Sequence, residues 1–272
     1  MPIPDGGACE LGDWSRPGSS CGYGSITGEE RKKEMKIRYC IVALLGGVLA
    51  QGALAADTVQ MRFTGTGLGK NIKMSVNGGN QQSVFAGELL HEFANGVGAG
   101  AKLNGIKSTF CTDLFQHVTS SWKTYTLKDV AAMPVPAMGN AKANAIADIY
   151  NFGVGAEDRG QMDNNMAAAL QIAIWEVVTD FDIGVGRSTL NVGDGNFKAF
   201  NSNSSALSGV VTNYLQDIFN YIGEATNHND LIGLAHGTAQ DQIIRVPTVP
   251  LPTGAGMAMA GLAGLGLVRR RR

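Results

Sequence analysis

The chain has 272 residues, and 44% of them belong to the hydrophobic set, which is enough for one substantial core. The formal net charge is −1, so no global electrostatic field favours nucleic acid as a partner. The 37 glycines and 8 prolines favour a loop-rich domain over a long helical bundle.

The N-terminal region predicts export. Residues 1–34 are rich in Gly, Ser and charge, and we expect them to be an upstream reading artefact or a disordered arm. In residues 35–56, Lys36 and Arg38 precede the short apolar run Ile41–Leu49, and small residues follow, which is the pattern of a secretory signal peptide. The apolar run is short for a membrane span. An uncleaved anchor behind a cytoplasmic arm is the alternative.

Residues 57–246 are expected to form the folded domain, and their first part is rich in strand patterns. Three segments predict strands: Val59–Phe63, Asn71–Val76 and Ser83–Phe93. Asn77–Asn80 predicts a hairpin turn between the last two. Gly65–Lys70 superficially suggests a phosphate-binding loop, but its spacing is wrong, so we expect another hairpin turn there. Ser108–Leu114 predicts a short strand that carries Cys111.

The pattern then changes to helical. Ala141–Phe152 predicts a helix that Gly153 and Gly155 end. Asp163 supplies N-cap chemistry for a second helix, about Met166–Thr179, which is apolar on most sides. An amphipathic helix at Ser205–Tyr221 and a last strand at Gln242–Val246 follow. Strands first, helices next and a strand last predict an α+β fold.

Cys111 is the only cysteine of this domain. Cys9, Cys21 and Cys40 all lie in the N-terminal region that is predicted to be removed. An exported domain with one cysteine has no internal disulfide partner. The thiol is then buried and inert, free and reactive, or already engaged in another bond.

Gln171 lies in the middle of the predicted apolar helix. A buried primary amide costs about 1–3 kcal/mol when it is left unpaired, so it needs partners or a different chemistry. Trp175 lies one helical turn further on and can cover the same face. Our leading hypothesis is an internal Cys111–Gln171 thioester, kept dry by Trp175 and Phe110 as apolar shields. An amine on a partner would attack the Gln171 acyl carbon, and Cys111 would be the leaving group. A buried Cys and a hydrogen-bonded Gln are the ordinary alternatives.

A family resemblance points the same way. An aromatic-Cys pair, Phe110-Cys111, followed about sixty residues later by Gln-x-Ala-Ile-Trp at residues 171–175, resembles the thioester domains of bacterial surface adhesins. The resemblance covers about Phe110–Asp182. It implies a covalent bond to amines, such as lysines, on a surface protein or an extracellular polymer. It also implies a β-sandwich-like sheet with a helical subdomain that carries the Gln helix.

The C-terminal residues 247–272 resemble a sorting signal. Val249-Pro250-Leu251-Pro252 is followed by the Gly/Ala-rich apolar stretch Thr253–Val268 and by four arginines, Arg269–Arg272. This order is similar to the PEP-CTERM signals of bacterial envelope proteins, with Leu251 in place of the usual Glu, as in the Val-Pro-Leu-Pro variants. The resemblance implies transient membrane anchoring, recognition by an exosortase-like enzyme, and an extracellular or cell-surface destination.

Other functions remain open at this point. Cys111 with a histidine would suit a cysteine hydrolase, and the histidines are His91, His117, His228 and His236. The protein would otherwise be a non-covalent, exopolysaccharide-associated matrix component, with sugars stacked on Trp122, Tyr125 or Tyr150. Asp180, Asp182, Asp194, Asn191 and Asn196 offer oxygen ligands for calcium, but turn chemistry explains them equally well. We expect no cofactor, no metal and no catalytic turnover.

Overall fold

The computed structural model describes residues 56–134, 136–225 and 227–246. The predicted arm at 1–34, the signal peptide at 35–56 except for its last residue, and the sorting tail at 247–272 lie outside the described residues. Within the described part of the chain, no helix is both long and apolar enough to cross a membrane.

In the described residues, the fold consists of seven strands and three α-helices. The strands are β1 (Thr58–Val76), β2 (Gln82–Val97), β3 (Gly105–Cys111), β4 (Lys123–Lys128), β5 (Phe197–Asn201), β6 (Leu231–Ala235) and β7 (Gln242–Arg245). The helices are α1 (Gly139–Asp158), α2 (Asn164–Asp180) and α3 (Gly209–Tyr221). Short 3₁₀ segments occur at Gly98–Leu103, Val130–Ala132 and Arg187–Thr189.

The long β1–β2 hairpin confirms one turn prediction and contradicts another. The predicted turn forms after Val76, where Asn77 and Gly78 have φ values of 52° and 71°. The hairpin turn predicted at Gly65–Lys70 is wrong, because β1 runs straight through these residues with two register shifts against β2. Gly69 lies opposite Gly87, and a Cβ on Gly69 would overlap the carbonyl of Ala86. The glycines therefore allow two strands to pass closely.

The sheet has the order β2-β3-β7-β6-β4-β1-β5, and each pairing is antiparallel. Because β1 also pairs with β2, the hydrogen bonding of the first six strands in this order closes on itself. Strands of this sheet together with α1, α2 and α3 make an α+β fold, as the order of predicted elements indicated.

Two apolar cores follow from this arrangement. The larger one lies between the sheet and the helices and includes most of α2, where twelve residues are buried. The smaller one is built mainly from strands, and its buried members are Val59, Met61, Phe93, Leu103, Tyr125, Leu234, Ala239 and Ile244. The functional candidates Cys111 and Gln171 belong to the helix–sheet side, since β3 and α2 contact each other there.

Helix α1 does not end where the sequence pattern predicted. It continues through Gly153 and Gly155 to Asp158. Gly153 faces Leu170 of α2, and a Cβ there would lie 3.0 Å from the Leu170 Cδ1 atom, so this glycine serves helix packing. The helix ends in a Schellman motif at Gly160, with φ 65°, where Gly160 N donates to Glu157 O and Gln161 N donates to Ala156 O.

Candidate functional site

Cys111 and Gln171 are both buried and come from different elements. Cys111 is the last residue of β3, opposite Gln242 of β7, and it is 1% exposed. Gln171 lies in the middle of α2 and is also 1% exposed. Asp163 caps α2, because its carboxylate accepts from Met166 N at 2.8 Å. The cap and the apolar faces of α2 hold Gln171 against the end of β3.

The Gln171 carboxamide pairs with the main chain of Cys111 at both of its ends. The backbone N–H of Cys111 donates to Gln171 Oε1 at 2.9 Å, and Gln171 Nε2 donates to the carbonyl oxygen of Cys111 at 2.8 Å. These two bonds join residues 60 positions apart in the sequence. They compensate much of the cost of burying the amide, and they place its acyl carbon beside the residue that carries the thiol.

The Cys111 thiol is held in its neutral form. Its sulfur donates to the Asp113 carbonyl oxygen at 2.9 Å. Burial raises the pKa of this thiol far above its usual range, and the nearby Asp113 charge adds to the rise. The Trp175 indole N–H is close enough to the sulfur to oppose this shift, although it makes no hydrogen bond of ordinary geometry.

A cavity of about 290 Å³, which we call the cysteine cavity, reaches Cys111 from the surface. Trp175 lines it, as do Asp113 and His117 of the loop that follows β3. Its remaining wall has an apolar part and a polar part. The apolar residues are Phe63, Met74, Val84, Phe85, Leu89, Leu114 and Val118, and the polar ones are Thr66, Gln82, Ser83, Gln116 and Gln240. Access to the Cys111 sulfur therefore runs along a cavity whose wall combines apolar and polar side chains.

The two predicted shields lie at different places. Trp175 is 3% exposed and lines the cysteine cavity. Phe110 does not line that cavity. Its ring meets the Tyr150 ring edge-on at 5.6 Å, and both line a second cavity of about 420 Å³ with Leu170 and Ile174. The structure thus brings Trp175, but not Phe110, to the open side of the cysteine.

A partly buried row of hydrogen-bonded side chains supports the loop whose Asp113 carbonyl accepts from the Cys111 thiol. Thr109 Oγ1 donates to Gln242 Oε1 at 3.0 Å, Gln242 Nε2 donates to Gln240 Oε1 at 3.1 Å, and Gln240 Nε2 donates to Asp113 O at 3.1 Å. The sequence reasoning did not identify Gln240 and Gln242. Their signal is two glutamines at alternate positions where an apolar strand begins.

Only one of the four histidines lines the cysteine cavity, and this is His117. His91 is buried beside Thr109, and desolvation lowers its pKa to about 4. His228 bonds Asn144 Oδ1 and Asp129 Oδ1, and the His236 ring lies 5.2 Å from the Tyr125 ring. The hydrogen bonds of Cys111 in the described structure involve Asp113 and Gln171, and no histidine among them.

Comparison of the chain with protein-family models, with curated proteins and with solved structures found no match. The geometry described above, together with the resemblance of the Cys and Gln motifs, is therefore the basis for a functional interpretation.

The candidate calcium ligands are occupied by turn hydrogen bonds. Asp180 accepts from the backbone of Asn196 and Phe197, Asp182 accepts from Gly184 N, and Asn191 accepts from Gly193 N. Among the residues that the structure describes, no three His, Cys, Asp or Glu side chains are grouped so as to hold a metal ion.

All three aromatic residues considered for sugar stacking have other contacts. Tyr125 is 2% exposed and belongs to the smaller core. Trp122 is partly exposed, and the Arg62 guanidinium lies 4.7 Å above its ring. Tyr150 donates its hydroxyl to Ile243 O. Trp122 is thus the one of the three with a substantial exposed surface.

Proposed function

We propose that Cys111 and Gln171 form an internal thioester, and that the protein uses it to capture amines covalently on a partner surface. The observation that supports this best is the pair of hydrogen bonds between the Gln171 carboxamide and the Cys111 main chain. They hold the two reactants together in a buried site, which replaces a collision by a positioned intramolecular reaction.

Formation of the bond requires only groups that are present. The Cys111 sulfur attacks Cδ of Gln171, and negative charge develops on Oε1, which the Cys111 backbone N–H already contacts at 2.9 Å. The C–N bond then breaks, the nitrogen takes up the thiol proton, and ammonia leaves. The Asp113 carbonyl holds this proton in the reactant, at 2.9 Å from the sulfur.

The surroundings favour persistence of the product. Both residues are 1% exposed, and Trp175 together with the apolar residues of the cysteine cavity limits water around the Cys111 sulfur. A thioester is a better acyl donor than the amide that it replaces. A partner amine that reaches the acyl carbon would form an amide and release the Cys111 thiol. This acyl transfer occurs once, without turnover.

The proposal also assigns roles to the two segments that flank the folded domain. The protein is exported through the signal peptide at residues 35–56, anchored for a time by the tail at 247–272, and processed by an exosortase-like enzyme. Its destination is the cell surface or the extracellular matrix, and its role is adhesion to a lysine-bearing surface protein or polymer. The finer fold proposed with it is a β-sandwich-like sheet with a helical subdomain around α2.

The experiment is an intact mass of the purified protein under denaturing conditions, before and after methylamine treatment. We expect a mass short by one ammonia that rises by one methylamine, and we expect neither effect in Cys111→Ala or Gln171→Ala. A full mass with a titratable thiol would mean that the bond never formed. A mass in which a hydroxyl replaces the Gln171 amine would mean that it formed and hydrolysed. Equal methylamine uptake by the wild type and both variants would contradict the proposal.

A cysteine hydrolase is the second candidate, because His117 lines the same cavity as Cys111. The described structure shows no hydrogen bond between His117 and the Cys111 thiol, whose proton is directed at Asp113 O, and this disfavours a hydrolase because its base must contact the nucleophile. Turnover of an ester or amide substrate by the wild type, lost in Cys111→Ala, would establish this function instead. A persistent full mass without turnover would favour the third candidate, a non-covalent matrix component.

A further inference from the structure

We propose that His117 is the general base for amine capture, and that the cysteine cavity selects unbranched primary alkylammonium groups such as the lysine side chain. This inference rests on the proposed thioester. It assigns a base to the capture step and a preference for unbranched over branched amines, neither of which the motif around Cys111 and Gln171 specifies.

The main chain around His117 is fixed on both sides. Thr112 N donates to Asp241 O at 3.2 Å, Gln240 N donates to His117 O at 3.1 Å, and Phe63 N donates to Thr119 O at 2.8 Å. Although these bonds hold the backbone, the His117 imidazole makes no hydrogen bond among the described residues. Its side chain is exposed and lines the cysteine cavity. An exposed, unpaired imidazole that lines the same cavity as the buried Cys111 is available for proton transfer.

Capture of an amine at neutral pH needs a base. An alkylamine with the pKa of lysine, about 10.4, is almost entirely protonated at pH 7. Only roughly one molecule in 2,500 is then in the neutral form that acts as a nucleophile. The titratable side chains that line the cysteine cavity are Cys111, Asp113 and His117. Cys111 is bonded in the thioester, and Asp113 Oδ1 accepts from the backbone of Phe115 and Gln116. Of these three side chains, His117 is therefore the best-suited proton acceptor.

The same cavity indicates which amines fit. Its volume of about 290 Å³ is at the lower limit of small-molecule sites, and apolar side chains such as Phe63, Phe85 and Val118 form much of its wall. These walls suit a slender alkyl chain. The Asp113 carboxylate, 7% exposed, lies inside and favours a cationic headgroup over a neutral or anionic one.

The protons balance in this step. His117 takes one proton from the ammonium group, and the freed lone pair attacks Cδ of Gln171. When the C–S bond breaks, its electron pair goes to the Cys111 sulfur, which takes up the second nitrogen-bound proton. The third stays on the product amide. The protonated His117 then loses its proton to water, so that one ammonium and one thioester give one amide, one thiol and one released proton.

The test is the rate of methylamine capture by the full chain, followed by intact mass. His117→Gln and His117→Ala remove the base, and His236→Gln, outside the cavity, is the matched control. We expect all of them to keep the ammonia-short mass of the wild type. We expect both His117 variants to capture methylamine about 10²-fold more slowly, the lower end for a positioned base. Added imidazole should accelerate His117→Ala and leave the wild type unchanged.

The outcomes separate the two proposals. If the wild type has no ammonia-short mass, the thioester fails and this inference falls with it. If all variants have it and His117→Gln captures methylamine at the wild-type rate, the base is not His117 although the thioester stands. Slow capture without imidazole rescue would likewise overturn the base role. For the substrate class, n-butylamine should exceed tert-butylamine by more than in aminolysis of a free thioester in solution, and an equal ratio would overturn that part.

Discussion

Two polar side chains on helix α2, Gln171 and Glu176, are equally buried and yet differ in their partners. Gln171 has both ends of its carboxamide paired with the Cys111 main chain. Glu176 is 0% exposed, its Oε1 accepts from Asn191 N at 2.6 Å, and its Oε2 has no hydrogen-bond partner among the described residues. Burial of a polar group alone therefore does not mark a reactive site, and the group that it faces decides its role.

The role of Glu176 is structural on this comparison. It holds the loop before β5 through Asn191, and Asp180, one turn further on, holds the same loop through Asn196 and Phe197. Desolvation raises the pKa of Glu176 to about 8, so that it is mostly protonated at neutral pH. Gln171, in contrast, pairs with the main chain of Cys111, and in the proposed function its carboxamide loses ammonia to the Cys111 thiol.

The largest expected effect comes from exchanging the two functional groups, the carboxamide of Gln171 and the carboxylic acid of Glu176. Gln171→Glu has no ammonia to lose, so we expect complete loss of methylamine capture. Its side chain also cannot donate to Cys111 O unless it is protonated, which should lower the free energy of unfolding by about 1–3 kcal/mol. Glu176→Gln should keep full capture. Intact mass and urea unfolding measure both effects, and loss of capture in Glu176→Gln would remove the distinction between the two sites.

A second prediction separates the two aromatic neighbours of the pair. Trp175→Ala and Phe110→Ala should each destabilise the fold by about 3–5 kcal/mol, because both delete a large buried ring. Only Trp175→Ala opens the cysteine cavity, so only it should hydrolyse the thioester faster. The appearance of the hydrolysed mass with time, below the unfolding transition of each variant, measures this. Equal rates in the two variants would show that shielding depends on global stability and not on Trp175.

Local patterns predicted much of this fold, and the failures have a common cause. The Asn77–Asn80 turn and the Asp163 cap are decided by neighbouring residues, and both form. The turn predicted at Gly65–Lys70 was wrong because Gly69 pairs across the hairpin with Gly87, a contact that no local pattern contains. The helix end predicted at Gly153 was wrong for the same reason, since Gly153 packs against Leu170 of another helix.

The candidate site shows the same difference between residues that local patterns reveal and residues that depend on long-range contacts. A lone cysteine and a glutamine in an apolar helix are visible in the sequence, and the structure places them in contact. The supporting glutamines were not predictable in this way. Gln240 reaches Asp113, and Gln242 reaches Thr109, which are 127 and 133 positions away. Their role follows from the pairing of β7 with β3, which is a property of the assembled sheet.

The smallest expected effect concerns the pH dependence that Glu176 imposes. Its pKa is about 8 in the folded protein against an ordinary 4.5, so between these values the folded state keeps a proton that the unfolded state has lost. The stabilising contribution is complete below pH 4.5 and disappears as pH rises through 8. His91 acts oppositely, because its pKa is lowered from 6.5 to about 4 and it adds stability as pH rises to 6.5. The contribution of Glu176 to the pH dependence of stability is therefore separated from that of His91 between pH 6.5 and 8.

In this window, the free energy of unfolding of the wild type should fall relative to that of Glu176→Gln, by at most about 1.4 kcal/mol per pH unit. The difference between the two proteins removes the other groups that titrate, such as Asp241, whose pKa is also raised by burial. Urea unfolding at four pH values measures it, and amine capture by Glu176→Gln should follow the wild type throughout. Parallel stability curves would mean that Glu176 is ionised in the fold, and that its unpaired oxygen has a cationic or hydrogen-bonding partner. Glu176 and Gln171 would then be alike, and the contrast between an anchoring side chain and a reacting one would have to rest on the thiol alone.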